Sequence, residues 1–303
     1  MSNKIRVLVV GLGNMGLSHA KAYHALDGFE IIGLCSRNVE NISGLPDELS
    51  AYPRFPDYTA ALTDLKPDAV SINTYSDTHA DFAVQAFEAG AHVFLEKPVA
   101  ETLADARRVV EAATRCNRKL VVGYILRHHP SWAKLVEVAQ DLGKPLVMRM
   151  NLNQQSSGAT WQTHKTLMKT MSPIVDCGVH YVDMMCLMAR AKPVRVHAMG
   201  VNLTPEIDAD MYNYGQLQVF FDDGSIGWYE AGWGPMMSET AFFVKDVVGP
   251  NGCVSIVAAE ESGQGHKSDD VDAHTKTDSL RLHFSDTDGD GNFSREDEII
   301  NTE

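Results

Sequence analysis

The sequence predicts an α/β fold in two parts. The first is a doubly wound parallel sheet; the second is an α+β domain with an open, largely antiparallel sheet. Three observations lead there. Over the first ~120 residues short β-branched runs alternate with helical patterns, as in repeated βα units. A glycine-rich turn, Gly11-Leu12-Gly13-Asn14-Met15-Gly16, lies between the first such run and the first helix. After Gly123 the pattern changes to strands separated by turns such as Asp222-Asp223-Gly224 and Pro250-Asn251-Gly252. At about 100–200 residues per domain, 303 residues suggest two domains, 1–123 and 124–303.

Element by element, Ile5–Val10 reads as a strand buried on both faces. Asn14–Leu26 follows as a helix and Glu30–Cys35 as a strand. Pro46, Pro53 and Pro56 break the next stretch into loops and short pieces. Ala69–Asn73 is a strand, 78–89 a helix closed by Gly90, Ala91–Leu95 a strand, Leu103–Arg115 a helix and Leu120–Gly123 a strand. In the second part Val194–Asn202, Gly215–Phe221, Ser225–Glu230, 241–248 and Cys253–Val257 read as strands, and Ile174–Met188 as the one substantial helix. Residues 259–303 are polar and acidic.

With 26 Lys and Arg against 40 Asp and Glu, the formal net charge is −14. That balance disfavours nucleic acid or an anionic membrane as the main partner, since both reward a basic face. The five cysteines, Cys35, Cys116, Cys177, Cys186 and Cys253, are odd in number and form no C-x-x-C. Neither a disulfide framework nor a thiolate metal site fits them, and a reducing, cytoplasmic compartment is expected. No signal-peptide pattern opens the chain, and no run approaches the ~20 apolar residues of a membrane span.

The glycine turn carries the most specific chemistry. Strand–GxGxxG–helix is the fingerprint of a Rossmann dinucleotide site. Gly11 permits the tight turn, Gly13 lets backbone approach a pyrophosphate, and Gly16 lets helix pack on strand. The backbone from Asn14 and Met15 onward offers the helix N-terminus to negative charge. A purely structural glycine turn is the alternative. Enzymes of NAD usually carry an acid about 20 residues further on; here Ser36 and Arg37 stand at that place. A hydroxyl and a guanidinium suit the 2′-phosphate of NADP(H), which is favoured over NAD(H), the alternative being a solvated arginine.

Two further constellations point to proton transfer. Glu96-Lys97-Pro98 ends the strand Ala91–Leu95, and that end of an open sheet lines the ligand crevice. A desolvated lysine there donates to a hydroxyl or carbonyl oxygen; a surface ion pair with Glu96 is the plainer reading. In Asp176-Cys-Gly-Val-His180-Tyr-Val-Asp183, Asp176 and His180 are four apart, hence on one helix face. A carboxylate orienting an imidazole makes a general acid/base, while a satisfied core histidine is the plainer reading. A metal at the same pair, completed by His164, is disfavoured.

Together GLGNMG, INTYSDTHADFAVQAFEAGAHVFLEKP at 72–98 and DCGVHYVD at 176–183 resemble the Gfo/Idh/MocA family of oxidoreductases, from the first strand to about Val257. The resemblance implies hydride transfer between a nicotinamide cofactor and a sugar, inositol or related polyol. It also implies a homodimer or homotetramer built through the open sheet. Carried over, Lys97, Asp176 and His180 match the family's catalytic trio, and the bond before Pro98 is often cis. Thr74 and His79 match positions lining the nicotinamide ribose, Glu96 the same wall, and Tyr124, Arg127 and Trp161, with His180, positions that contact substrate. A redox sensor without turnover and a glycosidase using transient nicotinamide redox are the rival functions.

Three departures stand out. Ser172-Pro173-Ile174-Val175 replaces the family's Gly-Gly before Asp176. The acid of the second strand is missing. Members usually continue beyond the point where this chain stops, so a C-terminal truncation is expected. Finally, Asp286–Asp297 imitates an EF-hand loop but ends in Asp297 rather than a bidentate glutamate. A solvated hairpin tip is favoured there over a calcium site.

Overall fold

Six short parallel strands joined by crossovers build the first sheet. The computed structural model describes residues 4–39, 45–238, 244–257 and 279–302, and the chain divides into two units, Met1–Gly123 and Tyr124–Glu303. In the first unit the order is β1 (Ile5–Val10), α1 (Asn14–Ala25), β2 (Phe29–Cys35), β3 (Arg54–Phe55), α2 (Tyr58–Leu65) and β4 (Ala69–Ile72). It continues with α3 (His79–Glu88), β5 (His92–Leu95), α4 (Leu103–Arg115) and β6 (Leu120–Val122). The strands lie in the order β3-β2-β1-β4-β5-β6, all parallel. The order reverses between β1 and β4, and in such sheets the crevice at the carboxyl ends beside the reversal receives the ligand.

The buried strand residues explain this sheet. Val7 and Val9 face one cluster with Leu34 and Leu49, while Leu8 and Val10 face another with Ile72, Phe87 and Val109. A strand covered on both faces has no polar side to show, hence its continuous apolar run. The helices start on side-chain caps where the sequence supplies them. Asp57 accepts from the Ala60 amide at 2.7 Å, and Thr102 Oγ1 accepts from that of Asp105 at 3.1 Å. Between the three prolines lie short pieces, a turn at Asp47–Leu49 and β3, and α2 follows Pro56.

The second unit runs α5 (Pro130–Asp141), β7 (Val147–Gln155), α6 (Gly158–Leu167), α7 (Pro173–Asp176), α8 (Gly178–Ala189), β8 (Pro193–Val201), β9 (Tyr214–Phe221) and β10 (Ile226–Gly234). It ends with β11 (Lys245–Gly249), β12 (Gly252–Val257), β13 (Ser279–Phe284) and β14 (Glu298–Asn301). Its eight strands form one sheet, β14-β13-β12-β11-β7-β10-β9-β8. Every pairing is antiparallel except β7 with β10. Helices α5 and α8 cover one face, with Trp132, Leu135, Met148, Met150, Met184, Met188 and Tyr229 between them. On the opposite face Val147, Ile226, Val248 and Ile299 are exposed.

Four expectations need correction. The second unit holds further helices, α5 and α6. Pro130 at the first position and inward Trp132, Leu135, Val138 and Ala139 build α5. Strand β7 was not expected, because Met, Asn and Gln are weak strand formers. Its place between β10 and β11 decides its conformation. The helix foreseen over Ile174–Met188 is two segments: α7 stops at Asp176, and Cys177 caps both α7 and α8. In the acidic tail Ser279–Phe284, which alternates like a strand in the sequence, is β13; β14 is the unforeseen strand, and Asp286–Asp297 is the tip between them. There Asp297 accepts from Arg281 at 2.6 Å and pairs with His283 at 2.8 Å. The part of the expected 241–248 strand before residue 244 lies outside the described residues, as do 259–278.

Candidate active site

The glycine turn sits at the sheet reversal. The Gly11 amide donates to the Cys35 carbonyl at 2.9 Å, and the Asn73 amide to that of Val10 at 2.7 Å, so β1, β2 and β4 end together around it. Gly11 has φ +83°, and a Cβ there would lie 2.6 Å from the Asn73 carbonyl oxygen. At Gly16 a Cβ would lie 1.8 Å from the Gly11 carbonyl oxygen. Both glycines are required by close backbone approach. Gly13 differs: a Cβ there meets nothing within 4 Å. It is the N-cap of α1, no side chain caps that end, and no acid occupies the first turn. Asn14 and Met15 are exposed there. The amides of this end, beside open space, fit a pyrophosphate.

Ser36 and Arg37 follow β2 directly. The Ser36 amide is held by the Phe55 carbonyl at 3.0 Å, and Arg37 is exposed. Thr74, after β4, accepts from Thr78 Oγ1 at 2.7 Å. His79 is 1% exposed, and its ring spans the Pro98 and Thr74 carbonyl oxygens at 2.8 and 3.0 Å. At the end of β5, Glu96 is buried and its Oε2 accepts the Lys97 amide at 3.1 Å. The Lys97–Pro98 bond is cis. The structure therefore brings Gly11 to Gly16, Thr74, Glu96 and Lys97 to the carboxyl ends of neighbouring strands. Sequence reasoning missed His19, on α1, whose Nε2 donates to Glu96 Oε1 at 2.8 Å; no spacing rule links the two.

The second unit positions the other candidates around the α7–α8 junction. Ser172 and Pro173, the departure from Gly-Gly, start α7: Ser172 Oγ accepts from the Val175 amide at 3.3 Å, and Pro173 takes the first position. Asp176 ends α7 and His180 lies in the first turn of α8, so the two are four apart across a junction rather than along one helix. Cys177 Sγ donates to Asp176 Oδ2 at 3.5 Å. Gly178 opens α8 against the Tyr229 ring, 3.0 Å from where a Cβ would stand. His180 is buried and meets Tyr124 edge to face, ring centres 6.3 Å apart.

Arg127 is forked onto Asp183, with Nε 2.7 Å and Nη2 2.5 Å from its two oxygens. This pair raises the Arg127 pKa; burial raises that of Tyr124, with the Asp183 charge adding to it. The guanidinium also lies 5.5 Å from the Tyr124 ring centre. Tyr124, Arg127, His180 and Asp183 thus form one connected group. Asp183 stood in the motif, but nothing in the sequence tied it to Arg127. Trp161 stands elsewhere, 6% exposed, packed with Met168 and Trp233, its indole N–H toward Glu206 at 3.4 Å. His164 stacks on Trp233 at 4.4 Å and bonds Ser156 Oγ at 2.9 Å. Among the described residues no three His, Cys, Asp or Glu are grouped to hold a metal, and no helix is long and apolar enough to cross a membrane.

A buried lysine stands on β11. Lys245, 1% exposed, donates Nζ to the Asn151 carbonyl and lies 4.7 Å from the Tyr181 ring centre. Burial holds its pKa well below the ordinary lysine range, opposed by Cys177.

Comparison with known proteins matches both units. Residues 5–124 fit the family model described as an oxidoreductase family with an NAD-binding Rossmann fold, and residues 133–245 the GFO/IDH/MocA C-terminal domain. An inositol 2-dehydrogenase of Salmonella typhimurium (strain LT2) is 26% identical over 182 residues, 58% of this chain and 52% of that protein. A UDP-N-acetylglucosamine 3-dehydrogenase of Acidithiobacillus ferrooxidans is 29% identical over 197 residues, 65% of this chain and 58% of that protein. A solved structure of the latter enzyme superposes with a TM-score of 0.75 at 22% identity, covering 99% of this chain and 84% of that one. The WlbA dehydrogenase from Bordetella pertussis, solved with NADH and UDP-GlcNAcA, gives 0.71 at 22% identity over 84% and 79% of the two chains. The chain spans about half the length of the inositol dehydrogenases it matches.

Proposed function

The chain belongs to the GFO/IDH/MocA oxidoreductase family, and on that premise we propose that it is a nicotinamide-dependent dehydrogenase acting on a CH–OH group of a sugar, inositol or related polyol. The observation that carries this reading is the uncapped N-terminus of α1 at the sheet reversal, opening beside Gly13, on the helix whose His19 bonds Glu96 of the Glu96-Lys97-Pro98 turn. The glycine turn and α1 hold the pyrophosphate, Ser36 and Arg37 receive the adenosine ribose, and Thr74, His79 and Glu96 form the wall toward the nicotinamide. With a hydroxyl and a guanidinium after β2 and no carboxylate to repel a 2′-phosphate, NADP(H) is the preferred cofactor.

A bound nicotinamide supplies the acceptor or donor of hydride. In the oxidative direction His180 takes the hydroxyl proton, and Asp176 orients the imidazole and stabilises its positive charge. Lys97 donates a hydrogen bond to the oxygen as it becomes a carbonyl, which lowers the energy of the developing charge. In reduction the same groups act in reverse. Tyr124 and Arg127 are assigned to substrate contact; Arg127 enters that role already oriented by Asp183. The exposed apolar residues Val147, Ile226, Val248 and Ile299 favour self-association through that sheet face, as a homodimer or homotetramer. Titration with NADPH and NADH by fluorescence, then an absorbance screen of polyols and sugars, tests the proposal. Binding of neither nucleotide overturns it.

A further inference from the structure

The Glu96-Lys97-Pro98 turn is held from both ends. His79 engages the Pro98 carbonyl on one side. On the other, Glu96 spends its two oxygens differently: Oε1 accepts from His19 Nε2 at 2.8 Å, and Oε2 accepts the Lys97 amide at 3.1 Å. Room for the carboxylate exists because residue 123 is glycine; a Cβ there would stand 3.0 Å from Glu96 Oε2. His19 is fixed in turn, its ring 4.7 Å from that of Phe94, and the Glu96 amide is tied to the Ile72 carbonyl at 2.9 Å.

A carboxylate so buried is costly unless its charge is partnered and its oxygens hydrogen-bonded. His19 supplies a hydrogen-bond donor to one of those oxygens. Without it the carboxylate gains by turning toward water, and the Lys97 amide then loses its acceptor. We infer that His19 is a positioning residue for Lys97: through Glu96 it fixes the backbone from which the lysine side chain projects. The inference rests on the assignment of Lys97 to the chemistry, but the contact it describes can be read without turnover.

The test uses the full chain labelled with 15N at lysine, the Lys97 amide resonance being identified by its loss in Lys97→Arg. In His19→Phe, which keeps a ring against Phe94 and removes the donor, that resonance is expected to move upfield and its amide to exchange about tenfold faster or more. His19→Gln, which restores a donor, is expected to return both toward wild type. An unchanged Lys97 resonance in His19→Phe, or a Gln variant that behaves like the Phe variant, overturns the inference. Should His19→Phe not fold, Glu96→Ala removes the acceptor itself and is read on the same resonance. Absence of both NADPH and NADH binding by wild type would overturn the proposed function, while the resonance still decides the role of His19.

Discussion

Replacing Gly13 and Gly16 separately by alanine separates a cofactor cradle from a structural turn. At Gly16 the new methyl would stand 1.8 Å from the Gly11 carbonyl oxygen and 2.7 Å from its carbon. Ordinary heavy-atom contact is about 3.5 Å, so α1 must move from the turn by more than about 1.5 Å, and both partners are backbone. Overpacking of this kind costs about 3 kcal/mol at its upper end, offset by about 1 kcal/mol for alanine over glycine in a helix. A net loss of about 2 kcal/mol lowers the melting of a unit this size by roughly 8 °C. At Gly13 the methyl enters open space at φ −76° and ψ −167°, which alanine adopts readily. Its poorer capping is balanced by the lost freedom of the unfolded chain, leaving stability within about 0.5 kcal/mol. Yet the methyl stands where the phosphate must approach, and loss of one charge-assisted amide contact weakens NADH binding about 10- to 100-fold. Calorimetric melting and NADH fluorescence titration read the two effects independently. Wild-type NADH affinity in Gly13→Ala would refute the cradle, and wild-type melting in Gly16→Ala would refute the packing argument.

Other expectations follow from the same geometry. Lys97→Ala and His180→Ala should each lower kcat at least ~100-fold while NADH affinity holds, measured by steady-state kinetics beside the titration. Ser36→Asp should shift preference from NADPH toward NADH, since a carboxylate repels the 2′-phosphate and bonds the ribose hydroxyls; the ratio of the two dissociation constants checks it. Asp57→Ala removes the cap of α2 and should cost about 1 kcal/mol in denaturant unfolding. Lys245→Met tests the buried amine. Because the folded pKa lies below the unfolded one, the folded state binds fewer protons. The penalty for burying the group is therefore largest at low pH and fades as pH rises toward the ordinary lysine range. The stability advantage of Lys245→Met over wild type should narrow between about pH 6 and about pH 9, and a gap that widens instead would reverse the assignment.

What could be read from the sequence were features whose physics is local. The β-branched runs of β1 and β4 announce strands buried on both faces, and GxGxxG announces a turn whose glycines need positive φ or close approach. Ser172-Pro173 and Asp57 carry their own caps. Even the Lys97 turn, at the end of β5, is local in this sense. Tertiary structure decided the remainder, where residues distant in sequence supply the reason. Strand β7 has no strand-forming composition and is a strand because β10 and β11 pair with it on either side. The break at Cys177 is marked locally only by Gly178, which alone does not fix a helix boundary; the close approach of the Tyr229 ring to Gly178 is a contact the sequence does not show. Arg127 meets Asp183, His19 meets Glu96 and Lys245 is sealed beneath Tyr181 because the fold brings their elements together. A hydrogen bond between side chains 56 or 77 residues apart leaves no periodicity in the chain that makes it.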